Sequence, residues 1–68
     1  IPSEEIISAV TEVLSEQIGL SRADLIRETA KKFGYTRPGA VMTATVGFAV
    51  DKAVSGGKIK NNGDRYTL

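Results

Sequence analysis

The clearest indication of the fold is the segment Gly56-Gly57-Lys58-Ile59-Lys60-Asn61-Asn62-Gly63-Asp64-Arg65-Tyr66-Thr67-Leu68. Its Asn-Gly pair favours a two-residue type I′ turn, because both central residues of that turn need positive φ angles. We therefore expect a β-hairpin with Asn62-Gly63 at its tip and Ile59 opposite Tyr66 on the face that packs against a core. The other face would carry the cations of the hairpin: Lys58, Lys60 and Arg65.

Two segments near the start of the chain have apolar residues at helical spacing. The first begins after Pro2, with Ser3 as a capping residue, and continues to Gly19 with Ile18 on its apolar stripe. The second begins at the capping box Ser21-Arg22-Ala23-Asp24 and ends at Gly34. Residues 18–20, between the helices, are expected to form a short extended piece.

A tight connection, Tyr35-Thr36-Arg37-Pro38-Gly39, leads into a third helix, which ends at Ser55-Gly56-Gly57. Thr36 or Arg37 would cap it, and Pro38 would lie in its first turn, where a missing N–H is tolerated. The expected buried stripe is Met42, Val46, Ala49, Val50 and Ala53. A flanking row comprises Val41, Thr45 and Phe48. The expected outward stripe is Ala40, Thr43, Ala44, Gly47 and Asp51.

Helices two and three, joined by a short Gly-containing turn and followed by the hairpin, predict an α+β winged helix-turn-helix. The 68 residues allow one domain with one core, so we assign residues 1–68 to a single winged-helix domain. The start at Ile1-Pro2, without an initiating Met, favours a domain excised from a longer protein. The absence of cysteine fits a reducing compartment, and we expect a cytoplasmic location.

The charges are unevenly distributed along the chain, although the formal net charge is only +1. Residues 1–28 carry six acids and two bases, a balance of −4. Residues 29–68 carry seven bases and two acids, a balance of +5. This asymmetry favours a basic face directed at a polyanion, the alternative being ordinary solvated faces.

The third helix would be the recognition helix of such a fold. Its expected outward stripe is made of small residues and one acid, so it lacks the Arg, Asn and Gln side chains that read bases. Small residues suit close approach to a phosphate backbone and suit a protein contact equally well. The candidate nucleic-acid-binding residues are therefore phosphate contacts: Thr36, Arg37, Thr43, Lys58, Lys60 and Arg65. For the hairpin cations the alternative role is to prevent edge-to-edge strand pairing.

Gly47 is unusual because a glycine within a helix costs about 1 kcal/mol relative to alanine. We expect it where another chain or element packs closely against the helix. The chain has no His and no Cys, so it lacks the usual zinc ligands and general bases. Gly57-Lys58 is followed by Ile59 and does not form a phosphate-binding P-loop. We expect neither enzymatic activity nor a cofactor or metal.

The turn Gly34-Tyr35-Thr36-Arg37-Pro38-Gly39, the long helix to Gly56-Gly57 and the last strand Arg65-Tyr66-Thr67-Leu68 resemble a known family. The chain is similar to the small C-terminal domain of large superfamily I helicase-like proteins, which often also carry a Vsr-like endonuclease domain. The resemblance implies an accessory nucleic-acid-binding winged helix beside an ATPase motor, with Arg37 matching the turn arginine. Val41-Met42-Thr43-Ala44 departs from the more polar helix start expected of that family.

These features together predict an accessory module that binds DNA non-specifically through its phosphates. Its partners would be DNA and other domains of a parent protein, with no membrane and no small-molecule substrate. The alternative is a protein-interaction winged helix that docks other domains through helix three.

Overall fold

Three helices and three short strands make up the computed structural model, which describes residues 2–68; Ile1 of the predicted domain lies outside them. The predicted α+β class is confirmed, and the order of the elements is compatible with a winged-helix-like topology. The elements are α1 Ser3–Glu16, β1 Leu20–Ser21, α2 Arg22–Lys32, α3 Ala40–Ser55, β2 Lys60–Asn62 and β3 Arg65–Thr67. Within residues 2–68, no helix combines the length and the apolar character needed to cross a membrane.

The strands form one antiparallel sheet in the order β1-β3-β2, so β3 is the central strand. Leu20 of β1 pairs with Tyr66 of β3. The extended piece expected at residues 18–20 is therefore a strand, but it lies at Leu20–Ser21. The prediction that Ile18 belongs to the apolar stripe of α1 is wrong, because α1 ends at Glu16 and the Ile18 side chain is 93% exposed.

The hairpin between β2 and β3 turns one residue later than predicted. Asn62 pairs with Arg65, so Gly63 and Asp64 are the central residues of the turn. Gly63 has a φ of 71°, and Asp64 does not have a positive φ, because among residues 2–68 only glycines do. A type II′ turn needs a positive φ only at its first central residue, whereas type I′ needs it at both. The turn therefore matches type II′ and not the predicted type I′.

The new turn shifts the strand register by two residues, and Tyr66 faces Asn61 in place of Ile59. Because side chains alternate with a period of two, this shift keeps every residue on its predicted face. Ile59 and Tyr66 are accordingly both buried.

The predicted cap of α2 is confirmed in part and that of α1 is wrong. The Ser21 hydroxyl accepts the Asp24 N–H at 3.2 Å, which is the first half of the capping box. The Asp24 carboxylate accepts a hydrogen bond from Arg27 at 2.7 Å. At α1, Pro2 holds the N-cap position in extended backbone and Ser3 is already helical, so Ser3 does not cap.

α3 begins later than expected, with Gly39 at the N-cap position. Neither Thr36 nor Arg37 caps the helix, and Pro38 lies before its first turn. The Thr43 N–H donates to the Gly39 carbonyl at 2.9 Å and closes the first turn.

Both α2 and α3 end in a glycine with positive φ, as the sequence predicts. At the end of α3, Gly57 has a φ of 74°. Its N–H donates to the Val54 carbonyl at 3.0 Å, and the Lys58 N–H donates to the Ala53 carbonyl at 2.9 Å. These two bonds form a Schellman motif, which satisfies the last carbonyls of the helix and directs the chain into the hairpin.

The core lies between the three helices and the inner face of the sheet. Its members are Ile6, Val10, Val13, Leu14, Leu25, Ile26, Val46, Ala49, Val50, Ala53, Ile59 and Tyr66. The predicted buried stripe of α3 is confirmed except for Met42, which is half-buried at the edge.

The predicted outward stripe of α3 is confirmed except at one position: Ala40, Thr43, Ala44 and Asp51 are exposed. Gly47 is buried, although it was expected to face outward. Val41 and Phe48, expected to flank the core, are 82% and 63% exposed. At 100° per residue, four exposed residues of α3 lie within about 60° of one another on one side of the helix, and we call them the outer row: Val41, Thr45, Phe48 and Lys52.

Candidate nucleic-acid interface

The side chain of Arg22, at the start of α2, joins α2 to α3 and to the sheet. Its two terminal nitrogens donate to the Asp51 carboxylate at 2.8 and 3.3 Å. Nη2 also donates to the Gly47 carbonyl, and Nη1 donates to the Tyr66 hydroxyl, both at 3.3 Å. The hydrogen bond with Asp51, followed by that with Tyr66, raises the pKa of Arg22, and the same contact with Arg22 lowers the pKa of Asp51 below its ordinary value.

This arrangement explains the glycine in the middle of α3. A Cβ at position 47 would lie 3.0 Å from Nη2 of Arg22 and 3.6 Å from Cδ1 of Ile26. The expectation that another element packs closely against Gly47 is therefore confirmed, and the element is α2. Arg22 thus fixes how α3 and the hairpin lie relative to each other, a role that its place in the sequence did not indicate.

The other bases of α2 are occupied by carboxylates. Lys32 Nζ lies 3.0 Å from carboxylate oxygens of both Glu12 and Glu16 on α1, contacts that raise its pKa. The remaining three pairs lie within α2 and are Arg27–Asp24 at 2.7 Å, Arg27–Glu28 at 4.0 Å and Lys31–Glu28 at 3.1 Å. Such exposed pairs add little stability, but they neutralise the cations of α2 locally.

Five cations remain without a carboxylate within 4.0 Å among residues 2–68. All five are exposed, and all lie in the second half of the chain: Arg37, Lys52, Lys58, Lys60 and Arg65. The acids of that half are Asp51, which is bound by Arg22, and Asp64. The fold therefore increases the charge asymmetry seen in the sequence. Its ion pairs neutralise the bases of α2, whereas the bases that follow α2 in the chain have no carboxylate partner.

Three of the predicted phosphate contacts lie in or next to the hairpin. Lys60 pairs with Thr67, and Arg65 pairs with Asn62, so both cations project from the exposed face of the β2–β3 ladder. Arg65 also donates to the Gly19 carbonyl at 2.9 Å, which uses one of its five N–H groups. Lys58 is exposed just before β2, and its backbone is held by the Schellman motif of α3.

The other three predicted contacts lie at the start of α3. Thr36 and Arg37 are exposed in the connection between α2 and α3, and Thr43 is exposed in the first turn of α3. Thr43 lies twelve residues before Ser55, which ends α3, or about 18 Å along the helix axis. The structure thus places the six residues in two groups, one at the start of α3 and one in the hairpin that follows its end.

The side chains of α3 offer little for reading a base sequence. Its only charged residues are Asp51, held by Arg22, and Lys52, whose Nζ lies 5.8 Å from the centre of the Phe48 ring. The arrangement can therefore contact phosphates through cations at both ends of α3, but the helix itself has no side chain suited to a bidentate contact with a base.

Comparison of the chain with protein families, with curated proteins and with solved structures gives no match.

Proposed function

We propose that this chain is a winged-helix module that binds nucleic acid, DNA in the first place, through its phosphates and without sequence preference. The observation that carries the proposal is the set of five unpaired cations, which the fold leaves at the start of α3, at its end and in the hairpin. If the resemblance to superfamily I helicase-like proteins holds, the chain would be an accessory module beside an ATPase motor and not itself an enzyme.

The hairpin and the turn would divide the contacts between them. Lys58 and Lys60 supply point charges, and Arg65 can use the N–H groups that Gly19 does not engage. Arg37 supplies a second planar guanidinium at the other end of α3, with the hydroxyls of Thr36 and Thr43 as neutral donors. Phosphate contacts of this kind set position and affinity but carry no sequence information.

So few contacts predict weak binding that depends steeply on salt. Each phosphate that a cation neutralises releases condensed counterions, so the logarithm of the binding constant falls with the logarithm of the salt concentration. Tethering to a larger protein that already holds the nucleic acid would raise the effective concentration and make such weak binding useful.

A salt titration tests the proposal. A fluorescein-labelled duplex and the matching single strand are titrated with the 68-residue chain between about 50 and 200 mM salt, a range over which phosphate-driven binding weakens strongly. We expect the Lys58→Ala/Lys60→Ala variant to bind more weakly and to reduce the salt slope by about 2, one for each lost phosphate contact.

The matched control removes two paired cations from α2. Arg27→Ala/Lys31→Ala changes the net charge by the same amount, but both side chains are held by Asp24 and Glu28. We expect the control to leave the salt slope unchanged. No binding at about 50 mM salt, or an equal loss in both double variants, would contradict the proposal.

A further inference from the structure

The outer row of α3 exposes apolar surface that neither the core nor the phosphate contacts use. Val41 and Phe48 lie two turns apart on the same side of the helix and are the most exposed large apolar residues of α3. Ala44 and Thr45, between them, are small. Single exposed apolar residues are ordinary on protein surfaces, but here they follow one line along a rigid helix.

A depression of about 390 Å³ adjoins the start of this row. It lies where the connection from α2 meets α3, and Val41 and Thr45 of the outer row line it on one side. Its lining is Tyr35, Gly39, Ala40, Val41, Met42 and Thr45. The depression is open to solvent and mostly apolar, so it suits one anchoring apolar side chain next to a longer apolar contact.

The charges around this face have one sign. Lys52 ends the outer row, and Arg37 lies in the chain between Tyr35 and Gly39, which line the depression. Neither cation has a carboxylate partner among the described residues. Asp51, the acid of α3, is neutralised by Arg22. The face therefore favours an acidic partner and disfavours a basic one.

We propose that the outer row and the depression together bind an acidic amphipathic helix of a partner protein. Val41 and Lys52 are eleven residues apart, or about 17 Å along α3, which is the length of three helical turns. Thr45 in the row and Ala44 beside it are small enough to let a second helix approach closely. Apolar residues at i, i+3 or i+4, and i+7 of the partner would contact Val41, Phe48 and the depression. This inference goes beyond phosphate binding because its apolar contacts are not phosphate contacts, although the unpaired cations Arg37 and Lys52 border both surfaces.

Selection from a peptide library tests it. Phage that display random 16-residue peptides are selected on the 68-residue chain and counter-selected on the Phe48→Ala variant. We expect the enriched sequences to repeat apolar residues at helical spacing and to carry net negative charge. A synthetic peptide of that sequence should shift the amide resonances of residues 41–52 and should bind at least about tenfold more weakly to Phe48→Ala, as expected for a central anchor.

Ile18→Ala is the matched control, because it removes an apolar side chain that is even more exposed but lies outside α3. It should leave peptide binding unchanged, and thermal melts of both variants check that they remain folded. The proposal is overturned if no sequence is enriched on the chain over Phe48→Ala, if the enriched sequences are basic, or if Ile18→Ala weakens binding equally. It is also overturned if the chain itself dimerises in sedimentation and Phe48→Ala abolishes the dimer, since the face would then be occupied by a second copy.

The two proposals fail independently. Phe48→Ala should leave DNA binding and its salt slope intact, because Phe48 makes no phosphate contact. Lys58→Ala/Lys60→Ala should leave peptide binding intact, because both lysines lie beyond the end of α3.

Discussion

The guanidinium of Arg22 occupies the space that a side chain at position 47 would enter, and it donates to the Gly47 carbonyl. Replacing glycine by alanine within a helix normally stabilises it by about 1 kcal/mol. Here Arg22 would have to move a few tenths of an ångström, at the expense of a bond that also helps to fix Asp51. The two positions should therefore be coupled energetically.

We predict that Gly47→Ala gains little or no stability in the natural chain but gains about 1 kcal/mol in the Arg22→Ala background. Chemical denaturation of the two single variants and the double variant measures this coupling, which should be at least about 0.5 kcal/mol. Arg27→Ala provides a control background, since Arg27 bonds Asp24 on its own helix and is not among the nearest neighbours of a Cβ at position 47. An equal effect of Gly47→Ala in all backgrounds would contradict the account of Arg22.

The sequence could indicate that Gly47 has a packing role, but it could not identify Arg22 as the cause. The hydrogen-bonding partners of Arg22 are 25, 29 and 44 residues away along the chain. Nothing local distinguishes this arginine from the others, since a capping box and an amphipathic pattern account for its position equally well. The role of Arg22 becomes visible only when α2 is packed against α3, which brings its partners to the guanidinium.

At the scale of single elements, the hairpin shows where a local signal becomes ambiguous. Asn62-Gly63 suits a type I′ turn and Gly63-Asp64 suits a type II′ turn, so the sequence allows either. The observed register is the one in which β3 pairs with both β1 and β2. The pairing with β1 depends on residues more than forty positions earlier, which no local pattern contains.

The two turns predict different costs of substitution. In the observed turn Gly63 has positive φ, and a side chain there costs about 1–2 kcal/mol. Asn62 has negative φ and is exposed, and its side chain makes one long contact of 3.4 Å with the Thr67 hydroxyl. We therefore predict that Gly63→Ala lowers the free energy of unfolding by about 1 kcal/mol or more, whereas Asn62→Ala changes it by less than about 0.5 kcal/mol. Urea unfolding measures both, and a larger loss from Asn62→Ala would favour the type I′ turn.

The helices were easier to predict than their orientation. Glycines that end α2 and α3 are visible in the sequence, and each forms the expected helix end. The rotation of α3 was less certain because apolar residues occur on both of its sides. Val41 and Phe48 look like a flank of the core in the sequence, but in the structure they are exposed, and the side of α3 at Gly47 is the one that faces Arg22 and Ile26 of α2.

At the scale of the whole molecule, β3 is the central strand of the sheet, because it pairs with both β1 and β2. Its Tyr66 is 6% exposed and belongs to the core, and its hydroxyl accepts a hydrogen bond from Arg22. Removing β3 therefore removes the sheet, a core side chain and one contact of the Arg22 network together.

We predict that a chain shortened to end at Asp64 loses cooperative thermal unfolding. A chain this small has little stability to spare, since its single core buries only about 60% of the unfolded surface. Circular dichroism melts and amide spectra measure the change. A chain lacking only Leu68, which is half-exposed and lies outside the strand, is the control and should melt as the full chain does. A normal melt of the chain that ends at Asp64 would contradict a central role for β3.

The central position of β3 also sets the order of events during synthesis. Its residues are synthesised after all three helices, because β3 follows them in the chain. Thr67, which ends β3, comes twelve residues after Ser55, which ends α3. At about 5–20 residues per second, this interval lasts about one second. During that time Ile59 and the apolar faces of the helices lack Tyr66, and β1 has no strand to pair with. Until β3 is synthesised, the apolar faces of the nascent helices are therefore accessible to chaperones and to one another.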